Sequence, residues 1–257
     1  MKKLLSTACA LFMFANITAC KYSNDSTETT TLTVFAAASM TETMEQIADI
    51  YENDNKNINI EFNFDSSGTL KTQIEQGAVC DIFISAAQKQ MNELEKDFVN
   101  TDSRVDLLEN KVVMIVPENS DSDITSFEDV KSANLISLGN SDVPVGQYSE
   151  QIFKSLSLWD ELNNGNKISF ASNVKEVVSQ VASASVDCGV VYATDVTKDS
   201  KVKIVADAPE GSCDPAVYPA AVLKTSENQT EAQKFLDFLS EDECKNIFSE
   251  AGFTPLT

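Results

Sequence analysis

The sequence predicts an α/β fold of two lobes, each a helix-covered sheet, with a ligand crevice between them. Three observations lead there. From Leu32 onward, short apolar runs of strand length alternate with amphipathic helical stretches, the pattern of parallel sheets covered on both faces. Ligands of such sheets sit outside the carboxyl ends of the strands. Ser39 and Ser67 fall at such ends early in the chain, and Val145, Val174 and Tyr192 fall at them late. Finally, 257 residues with 42% hydrophobic content are enough for two modest cores.

The elements follow in order. Leu32–Ala37 is an apolar strand, and Met40, Met44, Ile47 and Tyr51 then recur at helical spacing. Ser39 and Glu42 stand three apart, the spacing of a capping box. Ile58–Phe64 alternates as a strand, and Leu70 and Ile74 mark a short helix that Gly77 ends. Asp81–Ala86 is a continuous apolar strand, followed by a helix over Gln88–Phe98. Val112–Val116 is a strand stopped by Pro117, Ser120–Ser132 is polar and loosely helical, and Leu135–Leu138 resumes the sheet. Tyr148, Ile152 and Leu156 form a helical stripe after Pro144, Ile168–Ala171 is a short strand, and Val174, Val177, Val178 and Val181 form another stripe. Strands at Gly189–Tyr192, Lys203–Ala206 and Tyr218–Leu223 precede helices over Glu231–Leu239 and Cys244–Phe248. Residues 32–112 with 218–257 are expected to form one lobe and 113–217 the other.

Several helices start with small or apolar residues instead of charges: Ala36-Ala37-Ala38-Ser39, Ser66-Ser67-Gly68, Val143-Pro144-Val145-Gly146 and Ser172-Asn173-Val174. A helix start leaves backbone N–H groups unpaired and carries the positive end of the macrodipole. Several starts aimed at one cleft make an anion site without Lys or Arg.

Composition narrows the chemistry. Net charge is −21, and losing Lys2 and Lys3 with a leader leaves 17 basic against 40 acidic residues, −23. That balance disfavours nucleic acid and anionic lipid as partners. Histidine is absent, which excludes Ser-His and Cys-His catalytic pairs and His-ligated metal sites. A single arginine, Arg104, disfavours bidentate capture of organic acids.

The N-terminus reads as a secretion signal over residues 1–19: Lys2-Lys3, then an apolar stretch from Leu4 to Ile17, too short to span a membrane. Ile17-Thr18-Ala19-Cys20 resembles the lipobox of bacterial lipoproteins, which implies cleavage before Cys20 and a lipid on it. Residues 20–31 are then the lipidated end and a polar tether. Cys80, Cys188, Cys213 and Cys244 would face an oxidising exterior and allow three pairings. The reading favours a Cys188–Cys213 bridge, against the plainer view of Cys80 and Cys188 as buried small hydrophobes.

LTVFAAASMTETMEQIADIYE, the turn Phe64–Leu70 and QIEQGAVCDIFISAAQKQM, then VPVGQY, GVVYATDV, YPAAVLK and Ala251-Gly252-Phe253, resemble in order the molybdate-binding proteins of bacterial ABC importers. The resemblance covers essentially everything after Thr31. It implies a type II periplasmic-binding fold, two lobes joined by crossing strands. It implies a molybdate or tungstate ion held by the hydroxyls of Ser39, Ser67 and Tyr192 and by backbone N–H groups at Val145 and Val174, with no direct cation ligand. Family members often carry Ala where Val145 stands. The protein would then be a monomeric, non-enzymatic, lipid-anchored receptor on the outer membrane face. It would deliver its ion to an ABC permease and need no cofactor.

A tetrahedral dianion presents only acceptors, which suits this donor set. Asp65 would repel it and is expected to point to solvent. The alternatives are a receptor for another tetrahedral oxyanion such as sulfate, an enzyme with Ser39 or Cys188 as nucleophile, and an adhesion lipoprotein.

Overall fold

The computed structural model describes residues 29–121 and 123–257. The leader, the lipobox Cys20 and nearly all of the tether lie outside the described residues.

The chain runs β1 (Thr30–Ala37), α1 (Thr41–Asp54), β2 (Ile58–Asp65), α2 (Ser67–Glu75), β3 (Ile82–Ile84), α3 (Gln88–Glu95) and β4 (Val105–Asn110). It crosses to β5 (Val112–Pro117), β6 (Ile136–Gly139), α4 (Pro144–Ser155), α5 (Trp159–Asn164), β7 (Ile168–Ala171), α6 (Val174–Ala182), β8 (Cys188–Tyr192) and β9 (Val202–Asp207). It returns through β10 (Ala216–Val222), α7 (Gln229–Phe238), α8 (Asp242–Glu250) and β11 (Thr254–Pro255).

These strands form two sheets, ordered β11-β4-β10-β3-β1-β2 and β7-β6-β8-β5-β9. The first lobe thus draws on both chain ends and the second on the middle. The chain passes between them at Asn110–Val112 and between Asp207 and Ala216. The sheets are mixed, not purely parallel. β1 pairs in parallel with β2 and β3, and β6 with β7 and β8. The strands next to the crossings, β5 and β10, run antiparallel to their neighbours. Periodicity alone does not encode the direction in which a strand that crosses between sheets pairs. The second sheet begins one residue earlier, and the return strand two residues earlier, than the sequence places the lobe limits.

Apolar surface closes on both faces of each sheet. One large cluster spans both lobes and includes Met40, Met44, Val145, Tyr192, Tyr218 and Phe253. Separate clusters around Phe35, Leu70 and Met91, and around Val113, Val177 and Val191, cover the opposite faces. Because the main core runs through the crossing region, the lobes share burial there instead of merely touching.

Glycine at 146 is fixed by close approach. A Cβ there would stand 2.2 Å from the Gly139 carbonyl oxygen, so only Gly lets α4 start directly over the end of β6.

Three local expectations are corrected. Ser39 does not cap α1. It sits inside a 3-10 turn, Ala38–Met40, and α1 starts after Met40 with no side-chain cap; a tertiary partner holds its hydroxyl instead. Val105–Asn110, Trp159–Asn164 and Thr254–Pro255 form elements that the hydrophobic pattern did not mark. Cys188 and Cys213 are not bridged, and Cys80, Cys188, Cys213 and Cys244 are all free thiols. Burial first, then nearby acids, pushes Cys188 and Cys244 up to about 12, so they stay neutral and unreactive at physiological pH.

Gly146→Ala is therefore expected to lower unfolding free energy by about 1–3 kcal/mol, the usual cost of forcing atoms into a packed site. Denaturant titration checks this, and an unchanged midpoint would contradict the close packing of α4 on β6.

Candidate functional site

The crevice between the lobes is lined by the ends of β1, β2, β3 and β8 and by the starts of α2, α4 and α6. Ser39, Ser67, Val174 and Tyr192 all line it. Val145 does not border the cavity; its neighbours Val143 and Pro144 do, while Val145 is fully buried as the second residue of α4. Pro144 at the helix start has no N–H, so the N–H of Val145 is the first that this end can offer. The space left between these groups is small, about 10 Å³ for the centre of a water-sized sphere, close to the room of one water.

Each hydroxyl is held from behind. Ser67 is the first residue of α2, after the cap Ser66, whose Oγ accepts the N–H of Thr69 at 3.2 Å. Ser67 Oγ accepts the N–H of Ala86 at 2.9 Å. One of its lone pairs is thus used, and its own proton is left to point into the crevice. Ser39 Oγ lies 2.9 Å from the hydroxyl of Tyr218. Tyr192, at the end of β8, donates its hydroxyl to the carbonyl of Ala86 at 3.2 Å. A tyrosine has one proton to give, so a ligand that takes it must displace Ala86.

The aromatic surroundings fix these groups. Tyr192 packs edge-on against Tyr148 and Tyr218, with centroids 6.4 and 5.6 Å apart. Burial, then the neighbouring tyrosines and Asp195, drives the Tyr192 hydroxyl well above its ordinary pKa, so it remains a neutral donor.

Asp65 departs from expectation. It lines the crevice and is half-buried, and its Oδ1 accepts the N–H of Ser66 at 2.6 Å. Local pattern does not encode that the end of β2 turns this carboxylate back onto its own backbone. The functional residues that the pattern missed are Ala86, Tyr218 and Asn110. Ala86 acts through its peptide group, and the other two bond to partners more than 100 positions away.

The two lobes touch across the opening. The Gly68 N–H donates to the Asp142 carbonyl at 3.1 Å, an approach open only to Gly because a Cβ would lie 2.2 Å from that oxygen. Asn110 Nδ2 donates to Thr194 Oγ1 at 2.8 Å. Lys175 pairs with Glu42 at 3.1 Å at the exposed rim, where such a pair contributes about 0–1 kcal/mol.

This constellation joins hydroxyl donors from both lobes and helix N-termini from both lobes, with no cationic side chain among the lining residues. It suits a ligand made of acceptors. The bacterial extracellular solute-binding protein family matches residues 32–254. The chain belongs to that family. Over 230 residues it is 36% identical to the molybdate-binding protein ModA of Haemophilus influenzae, covering 87% of this chain and 89% of that one. It is 38% identical over 248 residues to YvgL of Bacillus subtilis, covering 95% and 94%; that protein bears the provisional name of an ABC transporter substrate-binding lipoprotein. The Azotobacter vinelandii periplasmic molybdate-binding protein superposes with a TM-score of 0.77 at 23% identity, covering 88% of this chain and all of that one. At that identity the likeness bears on fold, and the fold is the two-lobed type II arrangement of periplasmic binding proteins.

Asp195 gives a test of the site's electrostatics. Its carboxylate accepts the Tyr192 N–H at 2.9 Å, and burial raises its pKa from 3.8 to about 7. Between those values the folded chain binds more protons than the unfolded one, so stability must fall as pH rises from about 4 to 7. Asp195→Asn is expected to flatten that fall by roughly 1–2 kcal/mol, allowing for the group's partial exposure. Denaturant midpoints at pH 5 and pH 8 check it, and parallel profiles for both proteins would contradict the buried carboxylate.

Proposed function

We propose that this protein captures molybdate or tungstate outside the cytoplasm and delivers it to an ABC permease, without catalysing a reaction. One observation carries the reading: Ser39, Ser67 and Tyr192, from the two lobes, converge on one cavity that the starts of α2, α4 and α6 also border, with no cationic side chain among its lining residues. Val145 and Val174 stand at two of those starts. The names of relatives at 36% and 34% identity support the choice of ion.

The physics of the donor set supports it too. Each charge-assisted bond to a desolvated dianion contributes about 1.5–3 kcal/mol. Five such donors offset the loss of hydration and of lobe mobility. A four-oxygen ion is larger than one water, so its capture must push the lobes slightly apart and break the Tyr192–Ala86 bond. Tyr192 then exchanges a carbonyl acceptor for an oxyanion, a stronger one. Opening and closing would be a hinge motion about the two crossings. Monohydrogen phosphate would bring a proton that these donors do not accept, a buried unmet donor. Sulfate has the charge but is smaller, so the same donors would not all reach it. The likeness to a lipoprotein and the Cys20 lipobox support a lipid tether to the outer membrane face. The family's role as extracellular receptors supports a permease as partner.

Ser39→Ala and Tyr192→Phe are each expected to weaken molybdate binding more than tenfold in calorimetry, the loss of one charge-assisted bond. Wild-type affinity in both variants would remove the proposed ligands. In a thermal-shift series, molybdate and tungstate should raise the melting temperature while sulfate and phosphate do so far less, because only a ligand of the folded form stabilises it. Equal shifts with sulfate would redirect the assignment to that ion.

A further inference from the structure

Asn110 sits at the end of β4, where the chain crosses between lobes, and its amide is fully committed. The Lys111 N–H, which only donates, reaches one amide atom at 2.8 Å and so identifies it as Oδ1. The two protons on Nδ2 are therefore directed elsewhere, one to Thr194 Oγ1 at 2.8 Å and one to the Tyr218 hydroxyl oxygen at 3.2 Å. Tyr218 is fully buried on β10, and its hydroxyl lies 2.9 Å from Ser39 Oγ. With Asn110 donating into its oxygen, the buried Tyr218 hydroxyl still has a proton to place, and Ser39 Oγ, a contact in which either hydroxyl can donate, is within reach to accept it.

We propose that Asn110 and Tyr218 form a donor relay in which Tyr218 donates to Ser39, aims the Ser39 proton at the ion and thereby disfavours protonated tetrahedral anions. The chain of bonds runs Asn110 N–H to Tyr218 oxygen, Tyr218 O–H to Ser39 oxygen, and Ser39 O–H to the ion. A serine hydroxyl by itself both donates and accepts, so it could take the proton of hydrogen phosphate. Here one of its two lone pairs is occupied by Tyr218, which leaves the serine fewer ways to accept and biases it toward offering its proton to the ion. Ser67 is treated the same way by the Ala86 N–H. Tyr218 and Asn110 are positioning residues: neither borders the cavity. Tyr218 acts through Ser39, and Asn110 acts through Tyr218. Asn110 also ties the relay to the opposite lobe through Thr194.

This rests on the oxyanion reading above, and the test separates the two. Dissociation constants for molybdate and for hydrogen phosphate are measured by calorimetry at pH 8 on wild type, Tyr218→Phe and Asn110→Asp, with ligand-free melting curves to establish folding. If wild type ignores molybdate, the oxyanion reading itself fails. If wild type binds it, Tyr218→Phe is expected to lose about three- to tenfold for molybdate. It should hold or gain affinity for hydrogen phosphate, because Ser39 regains a lone pair that accepts its proton. Asn110→Asp presents an acceptor where Nδ2 was, turns the Tyr218 proton away from Ser39, and should narrow the same preference further. An equal loss for both anions, or no change for either, overturns the relay. Should one variant melt below working temperature, the selectivity ratio of the other decides alone.

Discussion

The cleft depends on hydrogen bonds made behind it. A hydroxyl side chain is free to rotate and serves equally as donor or acceptor, so three hydroxyls facing a cavity specify nothing by themselves. Here each is fixed by a partner within the protein: Ser67 by the Ala86 N–H, Tyr192 by the Ala86 carbonyl and Ser39 by Tyr218. The backbone of Ala86 is central. Its N–H bonds a hydroxyl from its own lobe and its carbonyl bonds one from the other, so two adjacent peptide groups of one residue respond to lobe closure. Ala86 lies two residues past the end of β3, a strand in the middle of the first sheet.

That arrangement explains how a strongly acidic protein could hold a dianion. Helix N-termini and hydroxyls supply partial positive charge without a cation, and burial makes each of them count for more than it would in water. The chain's −21 resides mostly on exposed carboxylates, where solvent and salt screen it. Asp65 is one exception. Its carboxylate borders the cavity, with one oxygen bound to the Ser66 N–H.

Much of this was legible in sequence, and the limit of legibility has a physical form. Strands such as Val112–Pro117 and helix stripes such as Val174, Val177 and Val181 follow from local periodicity, because burial of one face is a local demand. The crevice residues at strand ends follow from the topology of α/β sheets. Tyr218 was read only as a strand residue, since the oxygen it bonds belongs to Ser39, 179 positions earlier. The same distance misled the capping assignment: Ser39 beside Glu42 has the local spacing of a cap, but a long-range bond to Tyr218 takes the hydroxyl. The thiols show the converse. Four cysteines in one exported chain suggested a bridge, yet Cys80, Cys188 and Cys244 pack in the interior as small apolar groups.

The most direct measurement of the central claim is anomalous diffraction at a tungsten edge from crystals of the protein grown with tungstate. The account predicts one strong peak between the lobes, within hydrogen-bonding reach of Ser39, Ser67 and Tyr192 through the ion's oxygens. It also predicts that the Tyr192 hydroxyl will have left Ala86. A peak bound elsewhere, or an ion gripped by lysine side chains with the Tyr192–Ala86 bond intact, would contradict it.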